Sequence, residues 1–415
     1  MTTTVPSQLV DHPRLQTQRR VLIVLVAAQV LSGAGLAAGV TVGALLAQQM
    51  LDSTSLAGLL SALATAGSAL AAVAVGRISH ARGRRPGLAA GYLAGAVGSA
   101  GVIVAAVADN AVLLFLAMFV YGAGTATNLQ ARYAGADLAT PARRASAVSV
   151  VLVATTLGGV VGPNVAAPAG DLAHALGIPH LAGPFILAAA AYAMATLVLA
   201  VWLRPDPLLL ARALEPERGA ADGQPGRAVE GRRSPGVLVG TLVMVSTQLV
   251  MVAIMTMTPV HMHDHGHGTA ASGLVIAIHI GAMYLPSPLT GWLVDRYGSL
   301  TIAVASGLAL LAAGLVAASA PGDSVALFAV ALALLGLGWN FGLVAGTAIV
   351  TDAVPLATRA KTQGLVDVAI AVAGATGGMA SGLVVAAASY PSLAIGGGIL
   401  ALAIVPAIAV AARNR

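Results

Sequence analysis

The sequence predicts an all-α integral membrane protein of twelve spanning helices, arranged as two six-helix bundles. Three observations carry this expectation. Hydrophobic residues make up 58% of the chain and charged residues 9%, with a mean hydropathy of +0.90. A soluble globule carries roughly a quarter charged residues, so this chain lacks the polar surface to face water all round. The 21 Lys and Arg residues fall only in alternate gaps between apolar stretches. The two halves also repeat, with Gly76 aligning with Gly291, an offset of 215 positions.

A spanning helix needs about 20 apolar residues. Such stretches run over 21–47, 55–76, 86–108, 111–131, 146–168 and 183–203, then 237–259, 270–292, 300–319, 325–349, 363–387 and 393–412. The first is too long for a signal-peptide core and reads as a retained helix. The odd-numbered connections are cation-free, and four of the six are very short: Asp52-Ser53-Thr54, Ala108-Asp109-Asn110, Pro321-Gly322-Asp323 and Ser389-Tyr390-Pro391. The even-numbered gaps and both tails hold the cations, from Arg14, Arg19 and Arg20 to Arg413 and Arg415. Cytoplasmic loops retain Lys and Arg, so both termini are expected in the cytoplasm of a multi-pass plasma-membrane protein. The segment 204–236 carries Pro205, Pro207, Pro216, Pro225 and Pro235 with mixed charge. It reads as a flexible cytoplasmic linker between bundles 1–203 and 237–415. The sequence pI near 10.2 comes from short loops, so it sets topology and does not point to nucleic acid. No cysteine is present, which excludes disulfides and thiolate metal sites.

The repeat extends beyond one glycine: Gly83 aligns with Gly298, Asp137 with Asp352, Gly159 with Gly374, and Gly162 with Gly377. Paired six-helix repeats imply a pseudo-two-fold arrangement with a substrate cavity near mid-membrane.

The loop after the eighth span reads Gly291-Trp292-Leu293-Val294-Asp295-Arg296-Tyr297-Gly298, and that after the second Gly76-Arg77-Ile78-Ser79-His80-Ala81-Arg82-Gly83-Arg84-Arg85. With twelve helices, this chain resembles the major facilitator superfamily over essentially its whole length. The family's loop is Gly-x-Leu-x-Asp-Arg-x-Gly-Arg-Lys and latches the cytoplasmic side. The resemblance therefore implies gating roles for Gly76, His80, Gly83, Arg84, Arg85, Gly291, Asp295, Arg296 and Gly298. Glycines permit close helix approach, and an Asp favours a helix N-terminus. The first-half acid is replaced by His80, and Asp367 lies at the start of the eleventh span, so His80 is expected to face Asp367. Alternatively, Asp367 simply occupies a wet helix start.

The fifth span carries Gly158-Gly159-Val160-Val161-Gly162-Pro163, similar to the family's antiporter motif. That implies export over import, with Gly158 and Gly162 for close contact and Pro163 for a bend. Small residues four apart are equally ordinary helix packing. On the fourth span Gly122 and Gly124 match the family's proton-coupled exporters, but Met118 stands where those carry Arg. Arg132 is expected at the cytoplasmic rim.

Met257-Thr258-Pro259-Val260-His261-Met262-His263-Asp264-His265-Gly266-His267 ends the seventh span. In an extended backbone His261, His263, His265 and His267 share one face. With Met262, and with Met251 and Met255 one turn apart, they suit copper or zinc. The other readings are an external pH sensor and a polar helix end with methionine as adaptable packing. His279, near the middle of the eighth span, is the leading candidate for proton or substrate binding, and Asp367 of the eleventh span is a second proton candidate. Gln29, Gln248, Met251, Met255, Trp339 and Asn340 are cavity candidates. The polar ones among them are equally suited to bonding helices together.

The expected function is secondary export of small amphipathic molecules in exchange for protons, by alternating access, by a monomer in the lipid bilayer without a cofactor. The alternative is transport of a transition metal or metal complex. No nucleophile–base or paired-carboxylate constellation points to an enzyme.

Overall fold

Helix ends follow local chemistry where the cation-free connections begin a new helix. The structure, a computed structural model, describes residues 7–51, 54–221 and 235–405. Asn110, Ser324 and Ser389 each cap a helix by accepting the backbone N–H three residues on, satisfying one of the orphan donors of the first turn.

Among the described residues every long element is helical. They are α1 (Ser7–Leu51), α2 (Thr54–Arg82), α3 (Arg84–Val107), α4 (Ala111–Ala136), α5 (Arg144–Ala175), α6 (Gly183–Trp202) and α7 (Pro207–Ala221), then α8 (Pro235–Asp264), α9 (Thr269–Tyr284), α10 (Ser287–Tyr297), α11 (Ser299–Ser319), α12 (Val325–Ala353), α13 (Arg359–Ala387) and α14 (Tyr390–Ala401). Ten helical stretches among the described residues are long and apolar enough to cross a membrane. α5 and the shorter apolar α14 take the places of the fifth and twelfth expected spans.

Two elements differ from expectation. The eighth span is broken into α9 and α10 at Leu285–Pro286. Pro286 and Pro288 lack N–H groups, so the ladder of backbone bonds is interrupted there. The ladder resumes past the break: the carbonyl of Pro286 accepts from the Thr290 N–H at 2.9 Å and from Thr290 Oγ1 at 3.2 Å. A carbonyl before the break binds another helix. The carbonyl of Met283 accepts from Asn340 Nδ2 at 2.7 Å.

The expected flexible linker contains a helix, α7. Pro207 opens it, where a missing N–H costs nothing. Asp206 Oδ1 accepts from the Leu208 and Leu209 N–H groups at 3.0 and 3.2 Å. Leu208 and Ala211 are buried, so α7 packs onto its unit with an apolar face. Residues 222–234 of the linker lie outside the described residues.

By packing the chain forms two units. The first comprises Met1–Thr140, Leu157–Gly231 and Leu356–Gly364; the second comprises Pro141–Thr156, Arg232–Pro355 and Leu365–Arg415. The start of α5 therefore belongs to the second unit and the start of α13 to the first. The first unit is centred on aromatic rings. Tyr92 stacks on Tyr192 at 5.8 Å, and Tyr121 meets Phe185 edge-on at 5.6 Å. Gly124 leaves room for this cluster, because a Cβ there would lie 2.5 Å from Tyr192 Cζ. Gly122 likewise admits the α2 backbone at Ala64. Both glycines of the fourth span thus have packing roles. The second unit is centred on Phe328, Leu335, Trp339 and Val344 of α12, all buried.

Gly83, between α2 and α3, has φ +95°, and a Cβ there would lie 2.4 Å from Asp206 Oδ2. That oxygen accepts the Arg85 N–H at 2.7 Å. Gly83→Ala is expected to destabilise the protein by about 1–3 kcal/mol, from backbone strain and displacement of Asp206. The aligned Gly298 has φ +91° and open space beyond, so Gly298→Ala carries only the strain. A smaller fall in melting temperature for Gly83→Ala than for Gly298→Ala would refute the contribution of Asp206.

Candidate functional site

The repeated loops build two related clusters. In the second unit, Asp295 near the end of α10 accepts the Ala145 N–H at 3.0 Å, the Ser146 N–H at 2.9 Å and the Ser146 hydroxyl. These amides open α5, where unsatisfied donors and the helix dipole attract a carboxylate. The approach requires Gly291, since a Cβ there would lie 2.8 Å from the Ala145 carbonyl oxygen and 2.5 Å from Ser149 Oγ. Arg144 pairs with Asp352. Arg296 and Gly298 are exposed.

In the first unit, Gly76 stands against the start of α13 in the same way. A Cβ there would lie 3.1 Å from the Ala360 carbonyl oxygen and from Gly364 Cα. Ala360 and Gly364 are the repeat equivalents of Ala145 and Ser149. Arg84 is fully buried: Nε donates to Asp137 Oδ2 at 2.8 Å, and Nη2 donates to Asp137 Oδ1 at 3.4 Å and to Gln363 Oε1. Its guanidinium lies 5.9 Å from the Tyr133 ring centroid. Arg359 reaches Asp137 Oδ1 at 3.9 Å, repeating the Arg144–Asp352 pair. Arg132 is buried in the last turns of α4, stacked at 4.1 Å on Tyr133 and donating to its hydroxyl at 2.8 Å.

His80 does not stand alone in this cluster. Arg212 of α7 donates to the His80 carbonyl at 2.9 Å, and its Nη2 lies 3.4 Å from His80 Nδ1. Asp367 is buried in α13, within the second unit.

The amide candidates occupy ordered networks. Gln29 Oε1 accepts from the Tyr92 hydroxyl at 2.6 Å, and Gln29 Nε2 donates to the Asn128 carbonyl at 3.1 Å. Asn128 Nδ2 donates to Ser32 Oγ at 2.8 Å. In the second unit Asn340 is fully engaged: Nδ2 donates to the Met283 carbonyl and to Ser287 Oγ, each at 2.7 Å, and Oδ1 accepts from Thr290. It joins α12 to the α9–α10 break.

Gln248 differs. Its Oε1 accepts from Trp339 Nε1 at 2.7 Å, which fixes which end of the carboxamide is which. The half-buried amide then presents Nε2 toward Gly374, where a Cβ would lie 3.2 Å away. Trp339 meets Tyr284 edge-on at 5.5 Å, forming an aromatic wall beside that donor. Met251 is buried and Met255 half-buried on the same helix. His279 is buried, with Nδ1 donating to the Leu332 carbonyl at 2.9 Å and Nε2 without a hydrogen-bond partner among the described residues.

The histidine segment is helical, not extended, as far as Asp264. His261 and His265 therefore share a face, and His263 points elsewhere. Met262 is fully buried, while Val260 and His263 are exposed. His261 stacks on Tyr390 at 4.4 Å and meets the His265 ring at 4.3 Å. His265 Nδ1 donates to the His261 carbonyl at 2.8 Å and His267 Nε2 to that of Gly322 at 2.8 Å. Among the described residues no group of three or more His, Asp or Glu is placed to hold a metal.

On α5, Gly158 admits α1, since a Cβ there would lie 2.1 Å from the Val30 carbonyl oxygen. Gly162 and Pro163 continue the helix, and their surroundings lie outside the described residues. An apolar recess of about 220 Å³ lies between α8, α13 and α14, lined by Leu249, Ala253, Gly377 and Gly397 among others. None of the sequence-predicted site residues lines it.

Sequence reasoning missed Arg144, Arg359, Arg212, Asp206 and Tyr92. The offset that aligns Asp137 with Asp352 also aligns Arg144 with Arg359, and would have found that pair. No comparable signal marked Arg212.

A sequence profile described as Major Facilitator Superfamily matches residues 25–341 and 267–415. The uncharacterized MFS-type transporter YdeG of Bacillus subtilis (strain 168) is 57% identical over 396 residues, covering 94% of this chain and 91% of that protein. The riboflavin transporter RfnT of Brucella anthropi is 31% identical over 353 residues, covering 84% and 85% respectively. Among solved structures, the human organic anion transporter MFSD10 (TETRAN) superposes with a TM-score of 0.75 at 16% identity, covering 94% of this chain and 99% of that one.

Proposed function

We propose that this chain, which belongs to the Major Facilitator Superfamily and is therefore a multi-pass membrane transporter and not an enzyme, exports small, planar, amphipathic molecules in exchange for protons. Alternating access carries the cargo, and both termini lie in the cytoplasm, an orientation that the cation-bearing loops support. The observation that carries this reading is the Gln248–Trp339 pair. A fixed amide donor beside two aromatic rings suits a flat molecule with a carbonyl acceptor on its edge. The riboflavin transporter relative has a flavin as its named cargo, so riboflavin is the first compound to test. His279, with its unpartnered Nε2, and Asp367 are the proton-binding candidates. The Gly158-to-Pro163 segment supports export over import. Helical placement of the histidines favours an organic cargo over a metal ion, because it separates His263 from His261 and His265.

The test uses proteoliposomes with an internal pH dye and an imposed proton gradient, supplied with riboflavin, ethidium or Zn²⁺. An organic compound is expected to trigger proton flux. Gln248→Leu is expected to raise its KM about tenfold, the equivalent of one lost hydrogen bond to a buried partner. His279→Gln is expected to abolish the proton flux. Flux triggered by Zn²⁺ alone would refute the organic-cargo reading. Organic flux indifferent to the gradient would refute proton exchange.

A further inference from the structure

The two repeats use the same backbone juxtaposition but different chemistry to hold it. In the second unit, Asp295 caps the amides of Ala145 and Ser146 at the start of α5. Repeat alignment places His80 at the position of Asp295, Ala360 at that of Ala145, and Lys361 at that of Ser146. Gly76 and Gly291 approach these helix starts in the same manner. An imidazole has at most one acceptor nitrogen and cannot offer two backbone amides the acceptor pair that a carboxylate offers, so the first repeat lacks that tether.

Arg212 supplies a different one. Besides the His80 carbonyl, its guanidinium donates to the carbonyls of Leu356 and Ala357, through Nε and Nη2, each at 3.1 Å. Those carbonyls belong to the segment leading into α13, and His80 lies in the last turn of α2. One planar cation thus binds both backbones that a carboxylate would join in the other repeat. The fork geometry of guanidinium suits several diverging carbonyls, and an ammonium does not match it. α7 is itself anchored by Asp206, whose carboxylate caps α7 and accepts from Arg85 at the start of α3. The cation is therefore presented from a fixed base, not from a loose linker.

We propose that Arg212 is a positioning residue for transport: it replaces the acid absent at position 80, and makes the linker helix α7 the strap that holds Leu356–Gly364 against the end of α2. Holding acts on carbonyls before the helix, instead of on amides within its first turn. Release of the strap frees the start of α13, so the strength of this tether sets the population of the strapped state. The inference rests on the transport reading only for its second readout.

The chain has no cysteine of its own, so a Leu209→Cys, Lys361→Cys pair, both exposed, carries spin labels on α7 and α13 in the full-length protein. Pulsed electron spin resonance reads their separation, and proteoliposome flux of riboflavin and ethidium reads transport. Arg212→Gln is expected to lengthen and broaden the distance distribution and to cut flux about tenfold, with Arg212→Lys in between. Adding His80→Asp to Arg212→Gln is expected to restore a narrow distribution, because the new carboxylate can accept from the Ala360 and Lys361 amides. A merely structural arginine would not be rescued from position 80. A distribution unchanged by Arg212→Gln, or a broadening that His80→Asp fails to narrow, overturns the proposal. If the distances behave as expected while the parent protein moves neither probe, the cargo reading fails and the strap stands.

Discussion

Replacing Arg84 with methionine is expected to lower the stability of the protein by about 3 kcal/mol, the scale set by leaving one member of a buried ion pair behind. Arg84 and Asp137 both have fully buried side chains. Loss of the guanidinium leaves the carboxylate with Arg359 at 3.9 Å, and removes the bond to Gln363 Oε1. Thermal unfolding in detergent, followed by the fluorescence of the three tryptophans, measures the loss. Arg84→Met combined with Asp137→Leu is expected to recover most of it, since two apolar groups carry no stranded charge. A single variant as stable as the parent would mean that water reaches this cluster and the pair contributes little.

Asp295→Ala is expected to reduce transport about tenfold while lowering the melting temperature by only a few degrees. The substitution removes the acceptor for two backbone amides and one hydroxyl at the start of α5. Helix-cap losses cost about 1–2 kcal/mol, modest for the stability of a whole chain but enough to shift a two-state equilibrium about tenfold. Asp295→Asn retains the carbonyl acceptor and is expected to keep most of the activity. Equal loss in both variants would assign the effect to charge instead of capping. Full activity in Asp295→Ala would remove this contact from the transport cycle.

The helix plan was legible because apolar length is a one-dimensional property: a run of about 20 apolar residues has few alternatives to a spanning helix. The helix starts at Asn110, Ser324 and Ser389 coincide with cation-free connections for the same local reason. What the sequence concealed was non-local or conflicting. The proline content of the linker argued for flexibility, yet Pro207 sits where proline favours a helix, and burial of Leu208 and Ala211 decides the matter through tertiary packing. Pro286 announced a break that the surrounding apolar run masked. The alternating histidines suggested an extended chain, but their neighbours do not alternate in burial: Met262 is covered and Val260 is exposed, as a continuing helix requires. Among site residues, the acids and glycines of the repeated loops were visible as motifs. Asn340 and Gln248 looked alike in the sequence. Only their partners separate an amide whose polar atoms all bind its own unit from one that keeps a donor to offer.

The break at Pro286 turns α10 into a short lever. Ser287 sits at the joint and Asp295 eight residues further along, about 12 Å away at the rise of an α-helix. A tilt of about 10° at the joint swings Asp295 by about 2 Å, more than a hydrogen bond tolerates. Asn340, which grips both sides of the joint through Met283 and Ser287, therefore sets its stiffness. An amide deep in α12 and a carboxylate at the tip of α10 are thus two ends of one mechanical linkage, with no contact between them.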